Sequence, residues 1–298
     1  VPLKIPYFGE LLALLSALLW GFAVILFKKS GESRHPISLN IFKNLLATII
    51  LIPTIALFGE PFFPRLPMNH YARFILSGIL GMAIGDTLFF ASLNRIGASF
   101  SSIVSYMYSP ALILLSLLFL KETLSLVQLS GVFLILAALI ATTRIEMPNN
   151  ISRTRLLSGI VLGVLSTFCT AIGVIIIKPL LATTSILWVT MFRLFAALFG
   201  LLVITLFLPE RKVLISAVFT PKAIGYPVLG TILGTYLALT VWLAGMKFTQ
   251  VSIAAPLNQL SNIFTFILAV LLLKEPITPR KVVAIFIAFL GALLVVFG

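Results

Sequence analysis

Long apolar runs alternate with short polar connections along this chain, and the runs share one length. They cover 8–27, 37–58, 72–92, 98–120, 126–143, 156–177, 184–208, 224–246, 251–273 and 280–297. Each is close to the ~20 residues that a helix needs to cross the hydrocarbon core of a bilayer. The pattern predicts an all-α, polytopic membrane protein of ten spanning helices. Most connections are short, which makes successive helices antiparallel neighbours. The longest polar stretch, "TTRIEMPNNISRTR" from Thr142 to Arg155, falls mid-chain. Its proline, asparagines and arginines mark a linker over 144–155 between units at 1–143 and 156–298. Two helix starts are explicit. Ser125 with Gln128 three residues on forms a capping-box pattern, and Thr278 before Pro279 pairs an N-cap with a proline at the first helical position.

Composition agrees with the patterning. Only 10% of residues are charged and 60% are hydrophobic, whereas soluble domains carry about 25% charged residues. The net charge of +13 comes from residues scattered through short loops, so it argues for topology control and against nucleic acid. Cys169 is the sole cysteine, which excludes an internal disulfide. His35 and His70 lie far apart with no ligand cluster around them, so no metal is expected. No Walker-type loop is present, so neither nucleotide nor another cofactor is expected. The first apolar run continues as a full span without a small-residue cleavage site, unlike a signal peptide.

The two units repeat. "LSGILGMAIGDTLFFASL" (Leu76 to Leu93) overlies "LGTILGTYLALTVWLAGM" (Leu229 to Met246) at a shift of 153, which also sets Lys121-Glu122 on Lys274-Glu275. Earlier in the units a shift of 150 sets Ser16 on Ser166, Lys28 on Lys178 and Lys43 on Arg193. Five spans per unit is an odd number, so the second unit is expected upside down relative to the first, a common transporter architecture. Basic residues favour the side of the odd-numbered connections by thirteen to six. The positive-inside rule alone then places both termini outside the cytoplasm.

"LLWGFAVILFKKS" (Leu18 to Ser30), "ASFSSIVSYMYSPALILLSLLFLKETLS" (Ala98 to Ser125) and "VSIAAPLNQLSNIFTFILAVLLLKEPIT" (Val251 to Thr278) resemble the EamA-type repeat of the drug/metabolite transporter superfamily. The resemblance spans essentially the whole chain as two repeats. It implies a ten-helix carrier, an exporter or exchanger of amino acids or similar small metabolites. Helices 1–4 and 6–9 would then line a central cavity and helices 5 and 10 would be peripheral. It also implies termini on the cytoplasmic side, opposite to the charge count; the two readings agree that both termini share a side. The expected location is a plasma or prokaryotic inner membrane. Small multidrug members of the superfamily use a first-helix glutamate for proton exchange; that position falls on Trp20 here, which disfavours the same coupling route.

Charges inside the spans are the first functional candidates, because a charge in hydrocarbon needs a partner or a role. Lys43 lies about six residues, or ~9 Å, from one end of its helix. Asp86 lies at a similar depth from the same-side end of the next helix, so the two could form a gate or a structural ion pair. Arg193 has Leu239 where the matching acid would stand. It would therefore bond to helix carbonyls or to a substrate carboxylate, for which its guanidinium fork is suited. Ser102, Ser105, Tyr106 and Ser109 fall on one helical face, and Asn258, Gln259 and Asn262 are the repeat mates of the last three. Such stripes either glue helices or line a cavity. Pro110 and Pro256 interrupt these helices, as in carriers that bind substrate at midplane. Trp20, Phe90, Tyr106, Tyr236 and Trp242 could supply aromatic walls. The expected substrate set is Trp20, Ser105, Tyr106, Arg193, Tyr236, Asn258, Gln259 and Asn262.

This reading is of a carrier for small polar metabolites, amino acids foremost, working by alternating access as a monomer in the lipid bilayer. Two transport alternatives remain: a sugar-phosphate or nucleotide-sugar exchanger, and a passive channel. A membrane-embedded enzyme would need a mid-span nucleophile with its base, and no histidine lies mid-span.

Overall fold

The computed structural model describes residues 6–31, 35–142, 152–220, 224–273 and 279–298. These residues form helices and no strand. The first unit contains α1 (Phe8–Gly31), α2 (Pro36–Leu57), α3 (Met68–Ser77), α4 (Asp86–Ser105), α5 (Tyr108–Leu115) and α6 (Leu126–Thr142). The second contains α7 (Arg153–Ile177), α8 (Ile186–Leu206), α9 (Arg211–Val218), α10 (Gly225–Gly230), α11 (Leu239–Phe248), α12 (Val251–Asn258), α13 (Ser261–Leu273) and α14 (Pro279–Phe297). Helix is the only way these apolar runs can satisfy their own backbone in lipid. Their ends follow local chemistry. The Ser152 and Ser185 hydroxyls accept from the Arg155 and Trp188 amides, each at 3.3 Å. Ser125 and Gln128 exchange reciprocal bonds of 3.0 Å. The Thr278 cap lies outside the described residues.

Among the described residues six stretches are long and apolar enough to cross a membrane: Phe8–Phe27, Pro36–Leu57, Met68–Ser92, Arg153–Ala182, Ile186–Leu206 and Gly225–Phe248. The other four expected spans differ among themselves. The fourth is broken at Tyr106–Met107 and the ninth at Gln259–Leu260; the fifth and tenth correspond to α6 and α14, apolar helices of 17 and 19 residues. Helical bonding continues through Asp86–Ser105, yet the chain reverses inside it. A methyl at Gly163 would lie 2.9 Å from Ser92 Oγ and 2.7 Å from Val104 Cγ1, whereas twelve residues of straight helix span ~18 Å. Phe133, Phe199, Phe286 and Phe289 are exposed, part of an apolar exterior suited to lipid rather than water.

Three features recur at matching positions of the two units. Gly78–Gly85 and Thr231–Ala238 are π-helical, 153 residues apart. The breaks at Tyr106–Met107 and Gln259–Leu260 are also 153 apart. Ser16 Oγ donates to Ala238 O at 2.9 Å, and Ser166 Oγ donates to Gly85 O at 2.7 Å. Each unit thus lends its first helix to the other unit's π segment. α1 packs on α11 and α13, α7 on α4, and α2 on α8, while α6 and α14 pair with each other. Tyr7 and Phe297 stack edge to face at 4.9 Å, so the described chain ends lie on one side.

Candidate functional site

The helices enclose a cavity of about 310 Å³ at the junction of the two units. From α1 it takes Ser16, Trp20, Val24 and Phe27, four positions on one helical face. α7 contributes Ser166, Thr167, Thr170 and Val174. The volume suits a small metabolite, and apolar walls with a few convergent polar groups are usual for a ligand site.

The three charged lining residues are Lys43, Asp86 and Arg193. Lys43 is 4% exposed, and its Nζ lies 2.6 Å from Asp86 Oδ2. The Asp86 side chain keeps 29% exposure. Asn44 Oδ1 stands 3.5 Å from the same ammonium, and Asn44 in turn donates to Asn40 Oδ1 at 3.0 Å. Asn40 Nδ2 donates to Met82 O and to Thr87 Oγ1. A polar ladder thus ties α2 to the π segment and α4 around the pair.

Arg193 is 2% exposed and carries the same repeat register as Lys43, but its surroundings differ. Its Nε and Nη1 find no hydrogen-bond partner among the described residues. Its Nη2 lies close to Gly81, where an added methyl would sit 3.4 Å away, so the glycine leaves room for the guanidinium. Tyr108 and Asp86 are near enough to interact electrostatically with it. Trp242 and Tyr108 line the same cavity. A buried cation with open donors and room beside it is equipped to receive an anion.

The broken helices meet at their breaks. Gln259 Nε2 donates to Ser105 O at 2.9 Å, and Asn262 Nδ2 donates to the carbonyl and side-chain oxygens of Gln259. Asn258 Nδ2 reaches Ser16 Oγ at 3.2 Å. Trp20, Ser105, Arg193, Asn258, Gln259 and Asn262 are all on the lining, with Phe90 and Trp242. Two of the expected substrate residues are placed elsewhere. Tyr106 is buried in the main apolar cluster, because the break beside it resets the helical phase and turns Tyr108 to the cavity instead. Tyr236 lies within a π segment, packs with the cluster around α2 and shares a 3.0 Å hydrogen bond with Thr54. Of the fourth-helix stripe, Ser109 is buried off the lining and the Ser102 side chain lies outside the described residues. Thr167, Thr170 and Tyr108 line the cavity without having been singled out. The run Ser166, Thr167, Thr170, with Val174 one turn on, is the helical-spacing signal that marks α7's face.

One end of the molecule carries a set of polar contacts, most of them between the units. Glu122 accepts from the Val251 and Ser252 amides at 3.0 and 2.9 Å and from Ser252 Oγ at 2.8 Å. It therefore caps the start of α12, where a carboxylate also complements the helix dipole. Glu10 accepts from Thr249 Oγ1 at 2.6 Å. Ser185 Oγ donates to Glu60, and Trp188 Nε1 donates to Phe62 O at 2.8 Å. Lys178 Nζ donates to the Met246 and Thr249 carbonyls. Three of the chain's eight acidic residues thus hold this face.

Comparison with known proteins places these features in a family. The profile of the EamA-like transporter family matches residues 7–144 and 157–297. An uncharacterized transporter of Archaeoglobus fulgidus is 26% identical over 291 residues, which cover 95% of this chain and 96% of that one. An uncharacterized transporter of Haemophilus influenzae is 28% identical over 134 residues, 45% of this chain and 44% of the relative's length. A solved crystal structure superposes with a TM-score of 0.80 at 17% identity, covering 97% of this chain and 96% of that chain. That likeness speaks to the fold alone.

Proposed function

This chain belongs to the EamA-like transporter family, and from that premise we propose that it is a ten-helix alternating-access carrier for small polar metabolites bearing a carboxylate, with amino acids among the expected cargo. Its two five-helix units would be inverted relative to each other, with the cavity between them as the substrate site. The observation that carries the proposal is Arg193. It is a buried guanidinium with two open nitrogens, on the wall of a cavity inside a membrane-type bundle. Such a charge costs free energy unless something pairs with it.

The symmetry of the contacts supports alternation. Ser38 at the start of α2 donates to Leu214 O in the second unit at 2.8 Å. Trp188, at the matching position of α8, donates to Phe62 O in the first. Two related contacts at opposite ends tie the second helix of each unit to the other unit in the same way. In the present conformation the end held by Glu10, Glu60 and Glu122 is shut. The cavity lining on α1 runs away from that end, from Ser16 toward Phe27. Cargo would enter on the other side, seat its carboxylate on Arg193 against Trp20, Tyr108 and Trp242, and leave when the carboxylate latches open.

The test is uptake into proteoliposomes of a pooled panel of amino acids and small organic acids, read by mass spectrometry, beside Arg193→Gln. Selective uptake lost in the variant is the expected result. Selective uptake that survives the variant would remove Arg193 from the site, and no uptake by folded protein would overturn the carrier reading for this cargo class.

A further inference from the structure

We infer that the cargo carries one net negative charge and no ammonium group: a small organic monoanion whose carboxylate stands on Arg193 where the Asp86 carboxylate stands on Lys43. The inference rests on the proposal above that the cavity is the substrate site, and it narrows the cargo to carboxylates without an ammonium group, which sets the amino acids of that proposal aside.

The two units answer the same electrostatic problem differently. Lys43 and Arg193 occupy one repeat position. In the first unit the buried cation is satisfied internally, by a carboxylate at 2.6 Å. The repeat mate of that carboxylate is Leu239, and Leu239 lines the same cavity as Arg193. The second unit therefore has the cation and lacks the acid, with open space beside the pair of positions. Arg193 Nε and Nη1 accordingly stay without partners among the described residues. A planar carboxylate placed there would complete by ligand what the first unit completes by side chain.

The charge count sets the class. Among the described lining residues Lys43 and Asp86 cancel, and Arg193 leaves the cavity at +1. A monoanion brings the site to neutrality. A zwitterion adds nothing and leaves one uncompensated charge in a low-dielectric interior. A dianion overshoots. Among the described lining residues the only carboxylate that could receive an ammonium is Asp86, and its Oδ2 is already bound by Lys43. Among the neutral amides, Asn262 spends its nitrogen on both Gln259 oxygens, and Asn258 and Gln259 each spend one of their two amide hydrogens within the protein. The wall also carries Phe27, Phe89, Phe90 and Val174 beside its hydroxyl side chains, and this apolar surface suits a short hydrocarbon body behind the carboxylate.

Trp20 and Trp242 line the cavity, so tryptophan fluorescence of the protein in nanodiscs reports occupancy. The probes are alanine, norleucine and phenylalanine beside their deamino acids propionate, hexanoate and 3-phenylpropionate, and beside the corresponding amides. The expected result is that at least one deamino acid binds ten-fold or more tightly than its amino acid and its amide. That binding is lost in Arg193→Gln. Leu239→Asp, which supplies the missing internal carboxylate, weakens it ten-fold or more, whereas Leu239→Asn weakens it less. Thermal unfolding of each variant in the same nanodiscs verifies folding, and Leu239→Asp should unfold no earlier than Leu239→Asn. If an amino acid binds as tightly as its deamino acid and still needs Arg193, the monoanion inference falls while the carrier for carboxylates stands. If no carboxylate binds to folded protein, both fall.

Discussion

Replacing Asp86 by leucine copies into the first unit what the second unit already has, and the consequence follows from burial. Lys43 is 4% exposed, and its ammonium has Asp86 at 2.6 Å and Asn44 Oδ1 at 3.5 Å. Removing the carboxylate strands a buried cation with one long neutral contact. Breaking a buried pair costs about 3–5 kcal/mol. Because Asp86 keeps 29% exposure toward the cavity, solvent there places the expected loss near the lower end, about 3 kcal/mol. Asp86→Asn, which can still accept from Lys43, should lose less. The double variant Lys43→Met/Asp86→Leu removes both charges and should return to within about 1 kcal/mol of wild type, since buried pairs are often replaceable by apolar residues of similar volume. A double-mutant cycle by reversible denaturant unfolding in mixed micelles would then give a coupling of about 2–3 kcal/mol. A single variant as stable as wild type, or a double variant no better than the single, would refute the reasoning that Lys43 depends on this partner.

Other predictions follow from neighbouring contacts. Glu122→Ala removes three hydrogen bonds to the start of α12; in a Cys169→Ser background, Thr170→Cys in the cavity should then be labelled several-fold faster by an impermeant thiol reagent applied from the side of the chain ends. Gly131→Val should lower stability by about 1–3 kcal/mol through overpacking, because even a methyl there would meet Gly291 O at 2.6 Å; ligand-induced fluorescence change should be unaltered, as neither glycine lines the cavity. Ser166→Ala removes one interhelical bond and should cost about 0.6 kcal/mol, the average for such bonds in membrane bundles, whereas Ser16→Ala removes two, to Ala238 O and from Asn258 Nδ2, and should cost about twice as much. Their equilibrium unfolding effects should add, since the contacts of the two serines join different helix pairs.

Much of the architecture is legible in the sequence because lipid imposes one length and one backbone solution on every span. The relation between Lys43 and Asp86 could be approached by counting residues from the ends of antiparallel helices, and the structure has them 2.6 Å apart. What hydropathy does not reveal is any departure from α-helical periodicity. The π segments at Gly78–Gly85 and Thr231–Ala238 and the breaks at Tyr106–Met107 and Gln259–Leu260 each shift helical phase without changing how apolar the run looks. Tyr106 and Tyr236 sit beside or inside these shifts, and both point away from the cavity that helical phase alone would assign them. Tyr108, two positions on from Tyr106, reaches it. The latches at Glu10, Glu60 and Glu122 were equally hidden, because each joins residues more than a hundred positions apart.

The central claim is that an unpaired Arg193 makes this cavity a carrier site for an anion. Counterflow tests it most directly: proteoliposomes preloaded with unlabelled hexanoate and diluted into labelled hexanoate, with the wild type beside Arg193→Gln and with protein-free vesicles to subtract diffusion of the neutral acid. The account predicts a transient overshoot of labelled acid above its equilibrium level in the wild type and none in the variant. Protein-dependent uptake that ignores the preload, or an overshoot unchanged by Arg193→Gln, would contradict it.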